Sequence, residues 1–260
     1  MENKSPLATS IYDEFRRVLA ETPSKCQFVD HRWGHLPDNL SPMWMPYDMM
    51  FQEFSREIAN SINQLANYTH RLGSWSTVID ALNEQQKFEI LNEHVESTAT
   101  ISLNLPYVIR SRFIFATAHL AHQANRAREG SAWNDALPLD GKIEFNTANL
   151  YASKWAAYAK LKQCLERIAA KDFREATRNF RNKYHHRFSP RVVIGHTMVV
   201  TRLAGDDPRR FSYGFSDEPP LAMNAIVPQL ETQSARCLVA YDAFKDLVRE
   251  FERVIRERAI

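Results

Sequence analysis

Glycine is scarce in this chain, with seven in 260 residues. That is too few for the many tight turns of an all-β sandwich or a doubly wound α/β fold. Cysteine is scarcer. Cys26, Cys164 and Cys237 stand far apart, odd in number and without a CxxC pair. They argue against a disulfide framework or a thiolate zinc site and fit a reducing cytoplasm. No apolar run is long enough for a membrane span; the most apolar region, 99–121, is broken by Pro106, Arg110 and Arg112. The opening MENKSPLATSIYDEFRR has no apolar core of signal-peptide type. A Gly-rich phosphate loop, GxSxG and HExxH are all missing, so P-loop hydrolysis, serine-hydrolase chemistry and zincin chemistry have no support. The expectation is a soluble cytoplasmic protein with no membrane association and no cofactor.

What is present is ordinary globular material, 44% hydrophobic and 25% charged, enough to bury a core. Most of it has helical period. Ser5-Pro6 opens a predicted helix over 7–21, with Ile11, Tyr12, Phe15, Val18 and Leu19 on one face and Thr22-Pro23 stopping it. Residues 22–46 have no period; Trp33 and Trp44 point to a loop strapped against the body, a mobile lid being the alternative. Further helices are predicted over 47–72, ended by Gly73, over 75–82, over 84–104, and over 106–128 beyond Pro106, stopping at Gly130. A turn-rich connection, 131–146, precedes a long helix over 148–169, which breaks slightly at Ala169-Ala170 or continues to about His185. Arg191–Leu203 is rich in β-branched residues; with the turn sequence GDDP and a return at Arg210–Phe215 it reads as a hairpin. The last predicted helix, 223–258, places Val227, Leu230, Ser234, Cys237, Tyr241, Phe244, Val248, Phe251 and Ile255 in a heptad seam that must face protein. The fold class is all-α: an up-and-down bundle of long helices with a small inserted β-hairpin near 191–216. Residues 1–46 form an N-terminal helix and Pro/Trp-rich loop, and 47–260 the bundle.

Charge is concentrated in one place. Lys171–Arg191, KDFREATRNFRNKYHHRFSPR, holds seven Lys or Arg against Asp172 and Glu175, a local balance of +5 in a chain of net +2. A solvated basic helix end would also look like this, because cations are favoured near helix C-termini. A single-sign cluster with two imidazoles equally suits a polyanion such as a nucleic acid backbone.

Within this stretch, Arg181-Asn182-Lys183-Tyr184-His185-His186 resembles the HEPN superfamily, whose signature is an Arg, commonly followed by a small polar residue, and a His after four to six intervening positions. Arg181, Asn182 and His186 match R-N-x-x-x-H. The predicted long helices before the motif, the motif at a helix end and the closing helix also resemble that family, over about 47–258. The resemblance implies a helical ribonuclease, possessed by some members as toxins or defence effectors, in which two protomers bring both Arg/His pairs to one cleft. The implied partners are RNA, a second copy of the chain and a nucleotidyltransferase-type antitoxin. The chemistry suits the residue types: Arg pairs bidentately with phosphate at any working pH, and His exchanges protons near neutrality. The implied catalytic set is Arg181, His186 and Asn182, without metal. Arg178, Lys183, His185, Arg187 and Arg191 are the expected substrate-holding residues.

On a regular helix, positions 181 and 186 lie about 140° apart, whereas Arg181 shares a face with His185. The pair converges in one chain only if the helix loosens before Pro190. His185 is then the structural histidine; Arg178-x6-His185 is the other spacing the family tolerates. His31-x3-His35 and the pair His119 and His122 are weaker candidates for a metal, since neither has the Glu-x-x-His repeats of a di-iron bundle. A non-catalytic helical bundle binding RNA, nucleotide or a protein partner is the alternative reading, and a scaffold working through the 223–258 seam a third.

Overall fold

Apolar residues three and four apart give α1 (Pro6–Glu21), which buries Ile11, Phe15 and Val18 on one face. The computed structural model describes residues 6–34, 36, 41–204, 210–215 and 218–258. Ser5 and the GDDP turn at 205–208 lie outside them. The helices that follow are α2 (Met45–Ile79), α3 (Glu84–Ile90), α4 (Glu96–Glu129), α5 (Phe145–Ala152), α6 (Tyr158–Arg167), α7 (Lys171–Ala176), α8 (Phe180–His186) and α9 (Met223–Arg258). Strands β1 (Val200–Ala204) and β2 (Phe211–Phe215) pair antiparallel, with Val200 opposite Phe215 and Ala204 opposite Phe211. The chain is thus all-α with one small hairpin, as its periodicity leads one to expect.

Two compact units are built from interleaved stretches: one within 1–25, 67–104 and 171–231, the other within 26–66, 105–170 and 232–260. The first is centred on aromatic stacking. Phe15 lies 4.1 Å from Trp75 with planes 4° apart, His94 stacks on Trp75 at 5.7 Å, and the Arg71 guanidinium sits over Phe15. In the second, Trp33 meets Phe51, Tyr241 and Phe244 edge-on. Its Nε1 donates to the Tyr241 hydroxyl at 2.7 Å, which donates to the Asp30 carbonyl at 2.9 Å. Asn63 brackets Val29, accepting from its amide at 2.8 Å and donating to its carbonyl at 3.0 Å. The irregular segment carrying Trp33 is therefore a strap, tied to its own unit through backbone groups that no helix satisfies.

Every position of the expected α9 seam, Val227 through Ile255, is buried within the chain, so the seam is core and not a free working surface. Phe113 packs against Tyr241 and Phe244, and Trp155 against Phe251.

Several element boundaries differ from the sequence expectation. Gly73 does not end its helix: α2 runs on to Ile79, because Leu72, Trp75, Val78 and Ile79 are buried and outweigh the ~1 kcal/mol cost of an interior glycine. Pro106 divides nothing. It lies inside α4 among buried Leu103, Leu105, Ile109 and Phe113, whose burial offsets the ~3 kcal/mol a helix proline costs. The expected 84–104 helix is interrupted by a π turn at Leu91–Val95. The predicted strand over 191–203 shortens to β1; before it only Val192 and Thr197 make isolated bridges, to Leu221 and Glu218.

The largest correction concerns the helix expected over 148–169; of the two alternatives at its end, the break at Ala169-Ala170 is the one found, and continuation to His185 is not. The stretch as far as His186 is four short helices. At the first break the Asn125 side chain takes the Tyr151 carbonyl at 3.0 Å, and Glu250 accepts from the amides of Ala156 and Ala157 at 3.2 and 2.9 Å. At the second, the buried Gln233 side chain accepts from Ala169 N at 2.8 Å while Ala169 adopts φ +51°. Side chains distant in sequence capture the backbone groups that helix continuation would have used.

Truncating the seam tests its internal role. Phe244→Ala should lower unfolding stability by about 3–5 kcal/mol in urea titration, with the sedimentation behaviour of the folded protein unchanged.

Candidate functional site

The basic stretch begins with α7, which buries Phe173, and ends after one and a half turns. Thr177, buried, donates its hydroxyl to the Phe173 carbonyl at 2.8 Å, and the Asn179 amide closes the end on the Arg174 carbonyl at 2.6 Å. Arg178 and Asn179 are left-handed, at φ +50° and +57°. Asn tolerates this conformation through its short polar side chain; Arg does so at a cost of roughly 1–2 kcal/mol. The turn re-aims the chain into α8, anchored by Phe180, which is buried and stacks with Tyr184 at 5.9 Å.

α8 stays regular through His186. The loosening that would have swung His186 round to Arg181 does not occur. Counting about 100° per residue, the outward positions run Arg181, His185, Asn182, His186 across roughly 140° of the helix surface. All four are exposed. One chain therefore sets Arg181 beside His185 and Asn182 beside His186, each pair one turn apart, and keeps Arg181 and His186 at opposite margins of one polar arc. The His185 and His186 rings are 6.3 Å apart.

Not every expected substrate-holding cation faces outward. Lys183, on the inner side of α8, donates from Nζ to Glu218 Oε1 at 2.5 Å, both largely covered. The Arg178 guanidinium donates to the Pro219 carbonyl. Arg191 pairs with Glu96 at 3.2 Å across an exposed surface, where such a pair is worth little. Arg187 follows α8 and is exposed. The sequence charge of +5 thus divides between cations that fasten the 218–219 segment to the helix and cations that face solvent. The fastening matters for the hairpin: Glu218 also bridges Thr197, so the base of β1 and β2 is tied to α8.

The weaker candidates separate. His122 Nε2 hydrogen-bonds Asp135 at 3.1 Å, and His119 Nε2 lies 3.2 Å from Asp140, so the two buried rings face different carboxylates of the 131–144 connection. Among the described residues no group of three or more His, Cys, Asp and Glu is placed to hold a metal ion. His35 and Asp38 lie outside them. Periodicity gave no sign of one concavity, a cleft of about 340 Å³ where the strap's His31, Arg32, Trp33 and Gly34 face Phe51, Gln52, Ser55 and Arg56 of α2. Arg32 next to Trp33, in a stretch without period, was its one sequence trace. No helix among the described residues is long and apolar enough to cross a membrane.

Comparison with protein-family models, with curated proteins and with solved structures gives no match to this chain.

Burial pulls the pKa of both His119 and His122 below the usual imidazole value, outweighing the neighbouring carboxylates that pull the other way. The unfolded chain then binds more protons than the fold just below its own pKa of about 6.5, so their contribution is complete above that pH and is lost as pH falls through it. Thermal melts should show the midpoint dropping between about pH 7 and pH 5, with a shallower drop in the His119→Asn/His122→Asn double variant.

Proposed function

We propose that this chain is a metal-independent endoribonuclease of HEPN type. The observation that supports the reading is the polar arc of α8, in which Arg181, His185, Asn182 and His186 share one exposed surface. In the proposed reaction a neutral histidine takes the proton of an RNA 2′-hydroxyl. The resulting 2′-oxygen attacks the adjacent phosphorus, and the P–O5′ bond breaks. The leaving 5′-oxygen receives a proton from an imidazolium, leaving a 2′,3′-cyclic phosphate and a 5′-hydroxyl. Arg181 offers its planar fork to the non-bridging oxygens, where negative charge gathers in the pentavalent transition state. Asn182 orients the phosphate or the arginine. Two roles for imidazole, base and acid, call for two rings, which His185 and His186 of one chain or His186 of two chains supply.

A homodimer is part of the proposal. With Arg181 and His186 at opposite margins of the arc, two α8 helices apposed about a two-fold axis would set Arg181 of one copy against His186 of the other. A toxin or defence role, with a nucleotidyltransferase-type antitoxin as partner, goes with the family resemblance. Purified protein incubated with mixed RNA in EDTA should produce cyclic-phosphate ends. Arg181→Ala and His186→Ala should each slow this at least about 100-fold, with His185→Ala milder if its ring is structural. Undiminished cleavage in either of the first two variants sinks the assignment.

One observation favours the alternative, a non-catalytic bundle that binds RNA, nucleotide or a protein partner. The cleft between the strap and α2 joins Arg32, Arg56 and His31 to Gln52 and Ser55 with Trp33 and Phe51 beside them, a donor set suited to a small nucleotide. A nucleoside monophosphate titration that raises the melting temperature in the parent but not in Arg56→Gln supports that reading.

A further inference from the structure

The hairpin carries an exposed aromatic row that the cleavage motif does not use. In β2, Phe211, Tyr213 and Phe215 alternate onto one face, and Tyr213 and Phe215 are 75% and 91% exposed. Their cross-strand partners on that face are Ala204, Arg202 and Val200. The Arg202 guanidinium lies 3.8 Å from the centroid of the Phe211 ring. The opposite face is different: there Leu203 lies over Gly214, so closely that a Cβ at that glycine would meet its Cδ1 at 2.6 Å. A lone two-stranded hairpin is marginal in water, and exposed rings of this size mark a surface with an occupant.

We propose that this face is a base-stacking platform for single-stranded RNA, feeding the strand to the α8 arc. The proposal rests on the endoribonuclease reading for the identity of its ligand and extends it to the form of RNA recognised. Three features carry it. Charge on the ring-bearing face is a cation: Arg202 is already stacked on a ring and neither strand contains an acidic residue, the hairpin's carboxylates lying in sequence at its turn, Asp206 and Asp207, and after β2, Asp217 and the Lys183-paired Glu218. Spacing selects the strand form: alternate strand residues stand about 6.8 Å apart, twice the ~3.4 Å step of a stacked nucleic acid strand. Bases on successive rings must therefore be splayed, as they are in single strands and loops but not in a duplex. Continuity joins the platform to the motif, since the hairpin base is held to α8 by Lys183–Glu218 and by Arg178 on the Pro219 carbonyl. Between the two, Phe188 is 77% exposed and Tyr184 49%, so rings and cations interleave along the segment.

The platform is tested with a probe that cannot be cut. A fluorescent, fully 2′-O-methylated oligouridine lacks the attacking hydroxyl, so its binding is read apart from cleavage. The full chain should bind it more tightly than the duplex of the same chemistry. Tyr213→Ser and Phe215→Ser should each weaken binding about tenfold, with unchanged circular dichroism and melting temperature because both rings are exposed. His186→Ala should slow cleavage of unmodified RNA at least about 100-fold. If cleavage is absent in the parent but ring-dependent binding remains, the enzyme reading fails and the platform stands. Three results overturn the platform: no binding of the single strand, equal affinity in parent and ring variants, or ring variants that change the sedimenting mass while leaving RNA affinity alone. The last would assign the face to a second copy of the chain.

Discussion

The turn at Arg178 and Asn179 holds two consecutive L-residues at φ +50° and +57°, a conformation that costs roughly 1–2 kcal/mol each and less for Asn. It persists because both sides of it are fixed. Phe173 and Thr177 are buried before it and Phe180 after it, and Arg178 gives its guanidinium to the Pro219 carbonyl. The consequence is geometric. With Phe180 as anchor and Lys183 turned toward Glu218, α8 has no freedom about its own axis, and its remaining positions face outward. Arg181, Asn182, His185 and His186 owe their shared exposure to that anchoring. Had the chain continued helically from α7, the phase of every motif residue would be different.

The basic stretch also shows why a charge count is a poor map of a site. Seven cations in twenty-one residues suggest a uniform polyanion surface. In the fold they divide by the company they keep. Lys183 spends its charge on a largely covered carboxylate, where the pairing fixes the return from the hairpin. Removing either partner would leave the other desolvated and unpaired, which costs more than the pair contributes. Arg191 makes an exposed pair whose loss would be nearly silent. The outward cations of α8 are fewer, but they stand next to imidazoles and aromatic rings, a combination with more chemical use than charge alone.

Much of this architecture was legible. Every position of the α9 seam is buried, because a long helix packed on protein along its length writes its burial into every third or fourth residue, although Ile226 and Leu247, buried beside it, lie off the seam. The β-branched and aromatic hairpin was visible for the same local reason. What sequence did not show were the interruptions. Gly73 and Pro106 carry local signals to stop, and both are overridden by the apolar residues around them. Conversely 153–157 carries no strong breaker and breaks where Asn125 and Glu250, far away in the chain, take the Tyr151 carbonyl and the Ala157 amide; at Ala169-Ala170, where a break was one of two expectations, Gln233 takes the amide. Tertiary hydrogen bonds of that kind leave no period to read. The strap is an intermediate case: two tryptophans announced contact with the body, but only the fold reveals that Asn63 and Tyr241 supply the partners.

The motif itself belongs to both categories. Its residue types and order were plain, and so was the helix phase that separates Arg181 from His186. The fold preserves that phase and thereby sharpens the chemistry required. A single α8 sets a guanidinium beside one imidazole and an amide beside the other, with Arg181 and His186 at opposite margins of the arc. If those two residues share a phosphate, the missing proximity has to come from outside the helix. In the homodimer we propose, a second copy would bring the complementary margin of its own arc, and the symmetry that pairs one Arg181 with one His186 would make the reciprocal pair. Residues 181 and 185 need no such help. The identity of the working histidine and the requirement for a dimer are therefore one question, because the same 100° per residue that sets the first sets the second.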